Sequence, residues 1–458
     1  MSDDDLVALV CCDLGAIVRG RSLPSAALES LGRGRDAGVG PGERAGVDRA
    51  HEEAGAGVGW VPANHALTPI GTLAEPNPFG STGDLRLLPD LRTRARVEGG
   101  DGVDALELVI CDIAEVDGRP WECCPRAFLR EALEQLESEL GMRLLASFEH
   151  EFQLLVDEAP ALPFSLEAQR RAGRFPQRAM RALVQAGTQP QRFMPEYASH
   201  QFEIPVAAAE GLAAADRALV VREVVREVAR RELHRATFTP LLDPAQAGNG
   251  VHIHLSLLGA DGSSALYDRS RPGSLSVLGG SFAAGILRHA PALTALTAPS
   301  PVSSARLAPH HWGAGAACLG LQNRETLLRI PPLVAGAGEL GRQLRLEYRG
   351  ADAAANPYLA LGAILRAGLA GVRDGLEPAP LLERDPAQLD AAEAERFGVD
   401  GLPGSLAAAL AALAADETAR GWMTPLMYDA YVAVKGSELE AAENVEVAEL
   451  CARYAQIH

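Results

Sequence analysis

The chain lacks the marks of several broad classes of protein. Its first residues, MSDDDLVALVCC, contain no basic stretch of the kind that opens a secretory leader. No apolar run reaches the roughly 18 to 20 residues that cross a bilayer. A cytoplasmic protein without a membrane partner is the expectation. A cationic surplus is also missing: 60 Asp and Glu stand against 42 Lys and Arg, a formal net charge of −18. This argues against a general affinity for nucleic acid. The seven cysteines include the adjacent pairs Cys11-Cys12 and Cys123-Cys124 but no CxxC spacing, so neither a zinc ribbon nor a disulfide framework is indicated. No repeat array is visible either. What remains is a globular composition, 47% hydrophobic and 22% charged over 458 residues. That length favours two domains, or one large α+β body with a smaller appendage.

Along the chain, residues 5–18 read as an apolar strand and turn, followed by a short helix near 25–31. Residues 32–59 mix Gly, Arg and acids without periodicity, and AGVG occurs at both 37–40 and 56–59; a flexible insertion is predicted. Turns and a short strand follow at 77–90, and a strong strand at 105–118. A β-rich N-terminal domain over 1–105 and a larger domain over 106–458 are expected. In the larger part, helices are predicted at 124–141, where Gly141 is the stop, at 208–234, 279–296, 353–372 and 405–415, with two more in 427–454. Residues 299–331 read as a loop, and 379–404 as a proline-punctuated connector.

The chemistry concentrates on strand-like stretches. GNGVHIHLSL, residues 248–257, puts His252, His254 and Ser256 on one face, after Gly248 and Gly250 that let backbone approach a ligand. Two histidines at this spacing are equally at home on an ordinary polar face. FEHEF sets Glu149 and Glu151 on one face, and MPEYASHQFEIP brings Glu196 and Glu203. Each pair alone also fits an exposed edge. Arg306, Arg324 and Arg329 surround a Gly/Ala-rich segment, while Arg345, Glu347 and Arg349 share a strand face; arginine suits planar recognition of carboxylate and phosphate. Five carboxylates with one imidazole make a hard, oxygen-dominated donor set, fit for Mg²⁺ or Mn²⁺. So many acids beside so many arginines suit a polyphosphate held between metal ions and guanidinium groups.

The ordered run GDLRLLPD, PWECCPRAFL, FEHEF, EYASHQFEI, GNGVHIHLSL, NRETLLRIP, LEYRGADAAANPY and DAYVAVKGSELE resembles the glutamine synthetase superfamily over essentially the whole chain. The resemblance implies an α+β fold, with a small β-grasp N-terminal domain and a catalytic domain of antiparallel strands flanked by helices. It also implies homo-oligomeric rings, commonly a dodecamer of two hexamers, with active sites between subunits. By motif, Glu151, Glu196 and Glu203 would hold one metal ion, and Glu149, His252 and Glu347 a second. His254, Ser256, Arg329 and Arg345 would contact ATP, and Arg306 with the backbone of Gly248 would hold the glutamate α-carboxylate. Arg324 and Arg349 would stabilise the phosphoryl group in flight. The implied reaction activates the glutamate γ-carboxylate as an acyl phosphate, which an amine then attacks.

This sequence departs from the ammonia-using pattern. Where those members carry a glutamate six residues after the Arg306 position, it has Trp312, and no Asp or Glu occurs between Arg306 and Arg324. The stretch 57–71, GVGWVPANHALTPIG, is uncharged apart from any proton on His65. An organic amine is therefore the expected nucleophile, as in relatives resembling γ-glutamyl-polyamine, -alkylamide and -anilide synthetases. Trp312 is its expected neighbour at the site. The 379–404 connector has no tyrosine, so adenylylation control is not implied. A glutamine synthetase proper and a non-catalytic relative are the alternatives.

Overall fold

The computed structural model describes residues 5–28, 57–100, 102–307 and 314–458. Trp312 and residues 32–56 of the expected insertion lie outside the described residues. The first six strands form a small sheet: β1 (Leu6–Cys12), β2 (Val18–Pro24), β3 (Val58–Trp60), β4 (Leu85–Pro89), β5 (Ala95–Val97) and β6 (Leu106–Glu115). Its order is β2-β1-β6-β4-β3, with β5 also on β6. β1 and β6 run parallel, and every other pair is antiparallel. Two sequence boundaries shift accordingly. β3 falls where the flexible insertion was expected to end, because Val58 and Trp60 pair with Leu87 and Leu85. β6 joins the small sheet with its core residues Leu108, Val109 and Ile110 buried, so the N-terminal sheet extends past residue 105.

A helix, α1 (Pro125–Leu140), follows; Gly141 ends it in the left-handed conformation, φ 64°. The large sheet is then built on β7 (Arg143–Leu155), β8 (Met194–Pro195), β9 (Gln201–Pro205), β10 (Ala209–Glu210), β11 (Arg235–Thr237), β12 (Val251–Leu258), β13 (Ala316–Leu321), β14 (Thr326–Ile330), β15 (Leu346–Tyr348), β16 (Leu381–Leu382) and β17 (Asp400–Gly401). Eight of them run in the order β16-β13-β14-β15-β12-β7-β9-β8. β13 and β14 lie inside the segment read as a loop, where the alternation is masked because both strand faces are buried.

Helices α2 (Leu212–Arg231), α3 (Val277–Arg288), α4 (Ala290–Thr297) and α5 (Pro357–Arg373) supply much of the surrounding core. The expected helix 279–296 is two helices, since Pro291 cannot donate to the preceding turn and the chain breaks at His289. Asn356 caps α5 by accepting from the amides of Tyr358 and Leu359. Arg126 of α1 ties the two parts together. It reaches Asp90 and Asp112 of the small-sheet region at 2.9 and 3.0 Å, and Asp216 of α2 at 2.9 and 3.0 Å; the Tyr358 hydroxyl donates to Asp216 at 2.7 Å.

Candidate active site

Strand register converts scattered glutamates into one charged surface. Residues two apart on a strand share a face, and β7 leaves its odd-numbered residues from 145 to 151 half-buried on one side while fully burying the even-numbered ones. Glu151 pairs with Glu203 of β9, Glu149 with His252 of β12, His254 with Glu347 of β15, and Glu347 with Arg329 of β14. Five adjacent strands thus contribute to one cavity of about 570 Å³. Its wall also includes Glu196, Gly248, Arg192, Arg324, Arg345 and Arg349.

The acids in this cavity meet very different neighbours. Glu347 is gripped by Arg329 at 2.6 Å and by Arg349 at 2.5 Å. Burial pushes its carboxyl up, but His252, Arg349, His254 and Arg329 outweigh that and hold it at about 2. Glu149 is likewise held well below the carboxylate range: burial opposes ionisation, while hydrogen bonding and charge from His252 and His254 win. Arg345 donates to His254 Nδ1 at 3.2 Å, which leaves Nε2 facing Glu149 Oε2 at 3.1 Å. Glu203 is the opposite case. Burial, followed by the charges of Glu149, Glu151 and Glu196, pushes it up to about 10. Burial and Glu151 push Glu196 up to about 8 despite Arg324. Carboxylates crowded this way call for a cation.

The donor geometry accommodates one. Ligand atoms of Glu149, Glu203 and His252 all lie within 4.8 Å of one another, and so do those of Glu149, His254 and Glu347. Oxygen-rich sets of this kind fit hard divalent ions. The grouping differs from the division expected from the sequence. Glu149 stands between both groups and His254, expected on the nucleotide, falls in the second. Glu151 and Glu196 fall in neither, and Glu151 Oε2 already accepts from the Gly250 amide at 2.7 Å.

Two further expected contact residues stand behind the wall. The Ser256 hydroxyl donates to the Leu344 carbonyl at 2.7 Å and so fixes the segment leading to Arg345. Arg306 is buried, and its Nη2 donates to the carbonyls of Gly350 and Ala351 at 2.9 and 3.0 Å. Its stem packs on Gly248. A Cβ there would lie 2.6 Å from Arg306 Cγ and 2.2 Å from the Pro240 carbonyl oxygen, so only glycine fits. Gln201 locks the same turn, donating to the Gly248 carbonyl at 2.8 Å and to Asn249 Oδ1 at 3.0 Å. Arg192, Phe164 and Tyr197 also line the cavity. The sequence reading did not single them out: Tyr197 stands inside the EYASHQFEI motif without a role assigned to it, and Arg192 and Phe164 lie in stretches with no periodic signal.

In the 57–71 stretch, His65 is buried and its Nε2 accepts from the Trp60 indole at 3.0 Å. Burial, helped by Arg19, pushes its pKa down to about 3. The stretch therefore carries no side-chain charge at neutral pH. Among the described residues, no helix is long and apolar enough to cross a membrane.

Comparison with known proteins agrees with this geometry. Residues 122–452 match the family model described as glutamine synthetase, catalytic domain, and residues 31–121 match the glutamine synthetase N-terminal domain. The chain is 34% identical over 411 residues to gamma-glutamylpolyamine synthetase GlnA3 of Streptomyces coelicolor, covering 87% of this chain and 86% of that protein. Archaeal and bacterial glutamine synthetases are further relatives. A solved structure described as a novel glutamine synthase homolog superposes with TM-score 0.87 at 44% identity, covering 100% of this chain and 99% of that one. A GmaS/ADP complex superposes with TM-score 0.79 at 25% identity, over 97% and 95% of the two chains.

Proposed function

The chain belongs to the glutamine synthetase family and is an ATP-dependent ligase, and from that premise we propose that it joins the γ-carboxylate of glutamate to an organic amine, giving a γ-glutamyl amide. The observation that carries the reading is the single sheet face on which crowded glutamates and histidines oppose five cavity-lining arginines. Such a face suits a polyphosphate beside a carboxylate substrate.

In this proposal the γ-carboxylate oxygen attacks the γ-phosphorus of ATP, ADP leaves, and an acyl phosphate forms. The amine nitrogen then attacks the acyl carbon, the C–O bond to phosphate breaks, and a proton is released. Arg324 and Arg349 stabilise the charge on the transferring group. Arg329 and Arg345 hold the nucleotide phosphates, with Ser256 supporting Arg345 from behind. Gly248 offers its backbone to the glutamate α-carboxylate, and Arg306 braces that turn. Glu149, Glu203, His252, His254 and Glu347 would hold divalent ions, Mg²⁺ or Mn²⁺, with Glu151 and Glu196 at their border; bound there, the ions would neutralise phosphate oxygens. Assembly of like chains into rings, with sites between neighbours, belongs to the same proposal.

The amine reading has three supports. No acid occurs between Arg306 and Arg324, the 57–71 stretch is uncharged, and a gamma-glutamylpolyamine synthetase is among the relatives. The test is stoichiometric. Purified enzyme with glutamate, ATP, Mg²⁺ and an amine should yield ADP, phosphate and γ-glutamyl amide in equal amounts by mass spectrometry. ADP and phosphate without amide would overturn it.

A further inference from the structure

Two aromatic side chains of the cavity wall, Phe164 and Tyr197, have no part in the roles above. Both are unusually open for their type, Phe164 at 52% and Tyr197 at 48% exposure. Their ring centroids lie 6.3 Å apart with planes inclined by 51°. The backbone holds this pair in place at some expense: Phe164 sits at φ +57°, a conformation that bulky L-residues rarely adopt. The Phe164 amide donates to the carbonyl of Glu196 at 3.4 Å, and Tyr197 is the next residue, so the pair is tied to the cavity's acidic side. Met194 and Pro195 continue the apolar wall. A half-exposed aromatic pair kept in a strained turn beside a charged cavity is a ligand surface rather than a core remnant.

Resting on the amine-ligase reading, the geometry points to Phe164 and Tyr197 as the receptor for the amine's organic body, and to a monoamine with an aryl or branched alkyl group as the substrate class. The charges of the lining decide between a monoamine and a polyamine. Its five acids are Glu149, Glu151, Glu196, Glu203 and Glu347, and four of them belong to the strand face. Glu196, the fifth, directly precedes Tyr197 and, ionised once cations sit on the strand face, would meet one ammonium. The other charged groups of the described lining besides the two histidines are Arg192, Arg324, Arg329, Arg345 and Arg349, which repel a second ammonium. An aryl or alkyl body packs on two rings with apolar contact, and its single cation stays near their π faces.

The experiment uses the full-length enzyme with glutamate, ATP and Mn²⁺. Benzylamine and isobutylamine are compared with putrescine, spermidine and ammonium, for wild type, Phe164→Ala, Tyr197→Ala and Tyr197→Phe. Wild type should show a kcat/KM for benzylamine about tenfold or more above that for putrescine. Each alanine variant should raise the benzylamine KM about tenfold while the KM values for glutamate and ATP stay within about twofold, and Tyr197→Phe should retain the wild-type value. Preference for putrescine or spermidine would overturn the inference. Amide formation from benzylamine that is indifferent to both alanine variants would overturn the aromatic receptor and leave the ligase reading standing. Equal losses with every substrate, together with an altered sedimentation coefficient, would assign the pair to contacts between copies and overturn it as well. Glutamine from ammonium with no amide from any amine would overturn the inference and the amine reading together.

Discussion

Two buried ionic clusters of this molecule invite comparison. Around Arg126, three aspartates each find a complementary donor: Asp216 has Arg126 and the Tyr358 hydroxyl, Asp112 has Arg126 and Arg130, and Asp90 has Arg126 and Arg92. On the face of the large sheet, Glu203 instead looks at Glu149, Glu151 and Glu196. One cluster is complete within the chain. The other pairs Glu347 and Glu149 within the chain but leaves Glu196 and Glu203 facing like charges, an excess suited to an incoming cation.

The largest effect should come from removing a charge where charge is in excess. Glu203→Gln should cut amide formation about a thousandfold, since a hard-cation site loses one of its oxygen ligands. The metal-free variant should nevertheless melt no lower than wild type, because a neutral amide replaces a carboxyl that folding must otherwise protonate. Differential scanning calorimetry with a coupled ATPase assay checks both. A variant that loses activity and melts far lower would collapse the comparison.

Arg126→Met should do the reverse. Three aspartates left without their shared partner should cost roughly 3–5 kcal/mol of stability, read as a lower Tm or denaturant midpoint. Catalytic parameters of the protein that remains folded should change little. Wild-type stability in this variant would show that the tie between the two sheets is dispensable.

The pH dependences should diverge more gently. Glu196 and Glu203, pushed up to about 8 and 10, keep protons in the folded state that the unfolded chain releases near the ordinary glutamate value. Stability of the metal-free protein should therefore decline as pH rises from about 5 toward 10, and Mn²⁺ should offset the decline while releasing protons. Asp90 behaves oppositely: hydrogen bonds from Arg92, opposed by burial and joined by Arg126, hold its pKa well below the ordinary value. Its contribution is present above that ordinary value and is lost as pH falls below it. Thermal melts from pH 2 to 9, with EDTA or Mn²⁺, separate the two trends. A Mn²⁺ effect on Tm that does not grow with pH would count against the carboxylate assignment.

The smallest effect should follow removal of residues 41–56, which spares β3 and includes no residue of either cluster. Their composition offers little apolar surface to bury, and turnover should stay within about twofold. A larger loss would give that segment a role in the site or the assembly.

How far the sequence carried the reading can be seen at single residues. Glu149 with Glu151, and His252 with His254, were legible as shared faces, because strand alternation is a local property. That Glu149 and His252 belong to one metal group was expected only from the family motifs; the register that sets them opposite each other across β7 and β12 is not readable from either segment alone. Arg306 illustrates another limit. Its motif position was plain, but its burial comes from the carbonyls of Gly350 and Ala351, more than 40 residues away. The same holds for β6, whose strand character was clear while its membership of the small sheet rests on pairing with β1, β4 and β5.

The most direct test of the central claim is a set of specificity constants for the wild-type enzyme with saturating glutamate and ATP, varying ammonium and each organic amine in turn. The account predicts a kcat/KM for at least one organic amine well above that for ammonium. An ammonium value equal to or above every amine would contradict it.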